Sequence, residues 1–87
     1  MKTYSYRPVG VCSRKITITL TDDSRIDSVV FEGGCSGNTQ GVAALVKGMD
    51  VKEAIRRLSG IRCGPRPTSC PDQLARALTE ALETVRA

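Results

Sequence analysis

Histidine and tryptophan are absent from this 87-residue chain, and only Tyr4, Tyr6 and Phe31 are aromatic. The lack of histidine removes the usual general base, the Cys–His nucleophile pair and every mixed Cys/His zinc site. A tetrahedral metal site built by this chain alone would have to be all-cysteine, or three cysteines and a carboxylate. So little aromatic bulk means that the core has to be aliphatic and thin. No stretch approaches the roughly 18 apolar residues of a membrane helix. The opening Met1-Lys2-Thr3-Tyr4-Ser5-Tyr6 has no apolar run of the kind a secretory signal needs. A cytoplasmic protein with no membrane association is therefore expected. Net charge is +4, but no basic run is longer than two residues, as at Arg56-Arg57, and aromatics are scarce, so nucleic-acid binding is not expected.

What the chain does contain is cysteine, four in a length that allows a single small domain over 1–87. A domain this thin-cored gains from a metal, a disulfide or a partner. In a reducing compartment, cysteines at this density point to metal binding or redox chemistry before structural disulfides. Two of them bracket Cys63-Gly64-Pro65-Arg66-Pro67-Thr68-Ser69-Cys70-Pro71-Asp72, which also holds three of the four prolines. Each proline fixes φ and removes a donor, so this run is a stiff loop rather than helix or central strand. Cys70-Pro71-Asp72-Gln73 reads as the start of the last helix, with Cys70 as N-cap, proline first, an acid next and Gln third. In that position the Cys70 sulfur would face unpaired backbone N–H groups and the positive end of the helix dipole, which favours thiolate.

The remaining elements follow from periodicity. Thr3 to Val11 opens as an edge strand. Lys15 to Thr21 alternates, with Ile16, Ile18 and Leu20 on one face, and Asp22-Asp23-Ser24 supplies a turn into a returning strand from Ile26 to Glu32. Gly33, Gly34 and Gly37 then break the strand and allow close backbone approach. Val42, Leu45, Val46 and Met49 recur at helical spacing, with Gly48 as a stop. Asp50 can cap a second helix carrying Val51, Ala54, Ile55 and Leu58, which Ser59-Gly60 ends. Leu74, Leu78, Leu82 and Val85 make the stripe of a third, with Arg76, Glu80 and Glu83 outside. Strands first and helices after predict an α+β fold, a small antiparallel sheet covered on one face by three helices.

All four cysteines, Cys12, Cys35, Cys63 and Cys70, fall at junctions between these elements and none inside one. Cys12 and Cys35 would emerge at the same end of the hairpin. No two form a CxxC pair, so spacing leaves three readings open: a shared metal site, structural thiols, or a dithiol/disulfide pair. Arg14, Arg62 and Arg66 stand near them, either as solvated surface or as charge balance for clustered thiolates.

Thr68-Ser69-Cys70-Pro71-Asp72 spells the motif from which the TSCPD domain takes its name. With Gly33-Gly34-Cys35-Ser36-Gly37-Asn38 and the four cysteines, the chain resembles the small free-standing TSCPD proteins over essentially its whole length. These are related to the C-terminal module of adenosylcobalamin-dependent ribonucleotide reductases, whose cysteines are thought to bind metal. That resemblance implies an accessory protein rather than an enzyme in its own right, with zinc on Cys12, Cys35, Cys63 and Cys70. It also implies a protein partner, a ribonucleotide reductase or a cysteine-handling enzyme. A weaker resemblance, carried by Cys12, Phe31-Glu32-Gly33-Gly34-Cys35-Ser36, Leu45-Val46-Lys47-Gly48-Met49, Glu53-Ala54 and Cys70, is to NifU-like iron–sulfur scaffolds. It implies a NifU-like arrangement and, as the alternative cargo, an iron–sulfur cluster. Arg14 and Ser69 depart from that family's acidic and histidine positions, and Cys63 is additional to its three cysteines. Cys63 would then be the fourth ligand that closes the shell.

Overall fold

The computed structural model describes residues 1–8, 10, 13–33, 36–62, 64, 65 and 67–86. Three strands, β1 (Lys2–Tyr6), β2 (Ser13–Leu20) and β3 (Ile26–Gly33), precede three helices, α1 (Ser36–Val46), α2 (Val51–Leu58) and α3 (Cys70–Arg86). The sheet is an antiparallel meander in the order β1-β2-β3, so the expected α+β class and the division into a strand half and a helix half are what the chain adopts.

The alternation of β2 dictates the layers. Ile16, Ile18 and Leu20 are buried, while Lys15 is exposed and Thr17 and Thr19 lie on the opposite face. Pairing carries this face across the sheet in three rows: Tyr6, Ile16 and Phe31; Tyr4, Ile18 and Val29; Lys2, Leu20 and Ile26. The last row depends on an irregularity that the sequence pattern does not announce. Thr19 pairs with Ser28 but Leu20 pairs with Ile26, so Asp27 is an extra residue in β3. A regular strand would aim Ile26 away from Val29, and the bulge returns both to the core.

The turn between β2 and β3 sits where Asp22-Asp23-Ser24 was expected. Thr21 donates to the Asp23 carboxylate and accepts from the Arg25 N–H at 3.0 Å, and Ser24 has a positive φ of 62°. Asp50 caps α2 as expected, accepting from the N–H groups of Lys52 at 3.1 Å and Glu53 at 3.3 Å. The α1–α2 connection also runs beside the start of β3. Ile26 donates to Met49 at 2.9 Å, and Gly48 donates to Ile26 at 2.7 Å.

Helix α3 packs on β1, β2 and α2, whereas α1 covers β3. Leu74, Ala75, Ala77, Leu78 and Ala81 are buried on α3, and the alanines let the helix axis approach the sheet closely. Arg76, Glu80 and Glu83 are outside as the stripe requires. One expected core residue is misplaced by periodicity. Leu45 on α1 is 78% exposed, because α1 rests on β3 through Thr39, Val42, Ala43 and Val46.

Candidate functional site

The first turn of α3 corrects the reading of the Cys-Pro-Asp-Gln run by one residue. Gln73 N–H closes the first helical bond to the Ser69 carbonyl at 2.8 Å, and Asp72 N–H donates to Ser69 Oγ at 3.2 Å. Ser69 is therefore the N-cap, Cys70 the first helical residue and Asp72 the third. A hydroxyl wins the position because its compact oxygen reaches the N–H of the third residue with better geometry than a thiol. The capping bond expected of the Cys70 sulfur is made by Ser69, and Cys70 itself is half-buried at the helix start.

Around this turn lies a polar cluster that sequence reasoning missed. Tyr6 on β1 donates its hydroxyl proton to Gln73 Oε1 at 3.2 Å, Gln73 Nε2 donates to Thr68 Oγ1 at 3.0 Å, and Thr68 donates to the Asp72 carboxylate. That carboxylate also accepts the Gly60 N–H at 2.7 Å and lies 3.4 Å from the Arg76 guanidinium. Ser69 Oγ donates to the Ile61 carbonyl at 2.6 Å. Thr68, Ser69, Asp72 and Gln73 are all buried, and no described buried side-chain nitrogen or oxygen lacks a hydrogen-bond partner. Burial pushes the Asp72 carboxyl up, but the Thr68 hydroxyl, the Gly60 N–H and Arg76 together outweigh it and hold the group below its ordinary range. Burial, reinforced by Glu80 and Asp72, pushes the Tyr6 hydroxyl up against the opposing pull of Arg76. A chain of donors ending on one carboxylate thus ties β1, the end of α2, the proline loop and α3 together.

Of the four expected ligands, Cys70 lies within this arrangement, while Cys12, Cys35 and Cys63 lie outside the described residues, as does Arg66. Arg14 and Arg62 are exposed. Among the described residues no group of three Cys, Asp or Glu side chains is gathered as a metal site. The flanks of the cysteines are nonetheless defined. Ser13, which follows Cys12, pairs with Gly33, two residues before Cys35. Gly10, two residues before Cys12, has a positive φ of 76° and approaches Thr68 so closely that a Cβ on it would stand 3.3 Å from Thr68 Cγ2. A side chain at position 10 would be both strained and crowded. Ile61, two residues before Cys63, is bonded to Ser69, which precedes Cys70. Among the described residues no helix is long and apolar enough to cross a membrane.

The family model of the TSCPD domain matches residues 2–82. No curated protein and no solved structure matches the chain. The match spans all three strands and most of α3, and this chain belongs to the TSCPD-domain family.

Proposed function

We propose that this TSCPD-domain protein is a small metal-binding accessory protein that holds zinc through Cys12, Cys35, Cys63 and Cys70 and serves a ribonucleotide reductase. The observation that supports the reading is the knitting of the cysteine flanks. Three described contacts, Ser13 with Gly33, Gly10 with Thr68 and Ile61 with Ser69, join segments that between them adjoin all four cysteines in sequence. The donor set fits the group: in a chain without histidine, four cysteines are the one all-sulfur tetrahedral set available. Zinc held by four thiolates has no open coordination position, so its contribution is binding free energy added to the folded state. The hydrogen-bond cluster then positions the proline loop that carries Cys63 against the helix that begins with Cys70. The choice of a ribonucleotide reductase as partner rests on the family resemblance, and the pure chain is expected to reduce no nucleotide.

The test is zinc content per chain on protein purified without chelator or nickel affinity, followed by zinc titration against a competing chelator on the four single Cys→Ser variants. One zinc per chain and comparable losses of affinity in all four variants are expected. A Cys63→Ser variant indistinguishable from the parent would sink the four-ligand model and favour a three-cysteine iron–sulfur scaffold, visible as brown protein under anaerobic conditions. Because Ile61 and Ser69 are bonded, a Cys63–Cys70 disulfide in the isolated protein would favour a dithiol role instead.

A further inference from the structure

On the other face of the sheet, away from α3, Arg7, Arg14, Lys15 and Glu32 line a cleft of about 260 Å³. Its make-up follows from strand register. Tyr6 pairs with Ile16, so one step further along the antiparallel pair sets Arg7 beside Lys15, and Lys15 pairs with Glu32. Strict alternation would send Arg14 to the same side as Ile16, against the helices. Register prevents this, because Ser13 pairs with Gly33 and Lys15 with Glu32, which leaves Arg14 as the extra residue of a bulge. A bulge re-aims the side chain of its extra residue. Arg14 accordingly lines the same cleft as Lys15, and two adjacent residues deliver two cations to one side.

The charges in this cleft are not balanced. Lys15 Nζ lies 3.9 Å from Glu32 Oε2, a loose contact with both side chains about half exposed. Neither Arg7 nor Arg14 makes an ion pair among the described residues, in contrast to Arg25, Arg56, Arg57 and Arg76. Three cations face one carboxylate, a local excess of two positive charges. Two guanidinium forks can each present paired N–H donors to the oxygens of one tetrahedral anion, with the ammonium adding a point charge. A phosphate monoester carries about −1.5 to −2 charges at neutral pH, which matches that excess.

We propose that the cleft formed by Arg7, Arg14, Lys15 and Glu32 binds the phosphate group of a small molecule. Anion binding through these side chains needs no metal. Glu32 has a definite place in it, holding Lys15 in the absence of ligand and opposing the incoming anion.

The test is a chemical-shift titration of the isotopically labelled chain at neutral pH, with inorganic phosphate, pyrophosphate and sodium chloride of matched ionic strength as separate arms. Saturable shifts confined to residues around 7, 14, 15 and 32 are expected with both phosphates and not with chloride. Arg7→Gln and Arg14→Gln should each weaken phosphate binding about tenfold, the scale of one charge-assisted hydrogen-bonding pair. Glu32→Gln should tighten it a few-fold, since it removes the opposing charge. The residues are exposed, and thermal melting of each variant verifies that its fold is intact. Equal weakening by Lys47→Gln, an exposed cation outside the cleft, would overturn the proposal in favour of net charge alone. Failure of Glu32→Gln to tighten binding would overturn it as well. So would saturation by a single-stranded oligonucleotide when neither phosphate saturates the site.

Discussion

The two ends of α3 are held to the same sheet by opposite means. From Leu74 to Ala81 the helix is fixed by apolar burial, with Leu74, Ala77, Leu78 and Ala81 all fully enclosed. Its first turn is fixed by polar atoms: Ser69, Asp72 and Gln73 are equally enclosed but hydrogen-bonded to Tyr6, Gly60, Ile61 and Thr68. Apolar contact tolerates small shifts, because many weak contacts share the work. A buried hydrogen-bond cluster does not, because each group left unpaired costs about 1–3 kcal/mol. The apolar end sets how strongly the helix binds the sheet, and the polar end sets where its first residue, Cys70, stands.

The contrast is sharpened first at the apolar end, where the largest effect is expected. Leu78→Ala should destabilise the domain by about 3 kcal/mol in urea unfolding, since a fully buried leucine loses its transfer free energy and leaves a cavity. Leu45→Ala, on an exposed face of α1, should change stability by less than about 0.5 kcal/mol. Similar losses at the two leucines would deny that burial, rather than helical leucine content, holds the domain.

At the polar end Asp72→Asn should cost about 2 kcal/mol at neutral pH, because the new amide cannot accept from both Gly60 and Thr68 without presenting a donor to a donor. The cost should also depend on pH. The folded carboxyl lies below its unfolded value, so its stabilisation is complete well above about pH 4 and is lost as pH falls through the unfolded and then the folded pKa. The gap between parent and variant should therefore close on acidification. A gap that is constant down to pH 2.5, measured by urea unfolding at a series of pH values, would mean that the carboxylate charge carries none of the effect.

The same contrast explains which features the sequence made legible. Alternation in Lys15–Thr21 and the 3–4 spacing of Leu74, Leu78 and Leu82 are local signatures of burial, and they led to the sheet, the three helices and their order. Asp50 as a cap and Ser59-Gly60 as a stop were equally local. The bulges at Arg14 and Asp27 were not, because a bulge is a mismatch between two strands and neither strand shows it alone. Leu45 reads as core by spacing, but the face that α1 turns to β3 is chosen by packing. The polar cluster joins Gly60 to Asp72 across 12 residues of chain and Tyr6 to Gln73 across 67, and no spacing rule reaches that far. The clue available was the cap itself: Ser69 followed three residues later by Asp72 is a helix-start pattern, and the cysteine between them drew the assignment one residue late.

A smaller effect is expected at the far end of the donor chain. Tyr6→Phe removes one hydroxyl from Gln73 and keeps the ring in place, and it should cost about 1 kcal/mol in urea unfolding at neutral pH. Were it to cost as much as Asp72→Asn, the chain would behave as a single unit, and the partition between its members would have to be measured by the double variant.

The smallest effect belongs to a polar cluster that looks richer than the one at α3. Glu53 on α2 pairs with both Arg56 and Arg57, the latter at 2.8 Å, and these partners, Arg57 first, hold its carboxyl below the ordinary range. Both arginines are largely exposed, at 76% and 66% of their side chains. Water and salt there compete with the pairs, and long side chains lose rotamer freedom when held, so each pair contributes little. Glu53→Gln should therefore lower stability only slightly, by less than Tyr6→Phe, and the loss should shrink further as sodium chloride is raised toward 1 M. Asp72→Asn, shielded from solvent, should keep most of its cost in the same salt series. If Glu53→Gln proves as damaging as Asp72→Asn, or if salt erases both effects alike, burial is not what separates the polar contacts that position Cys70 from those that decorate the surface.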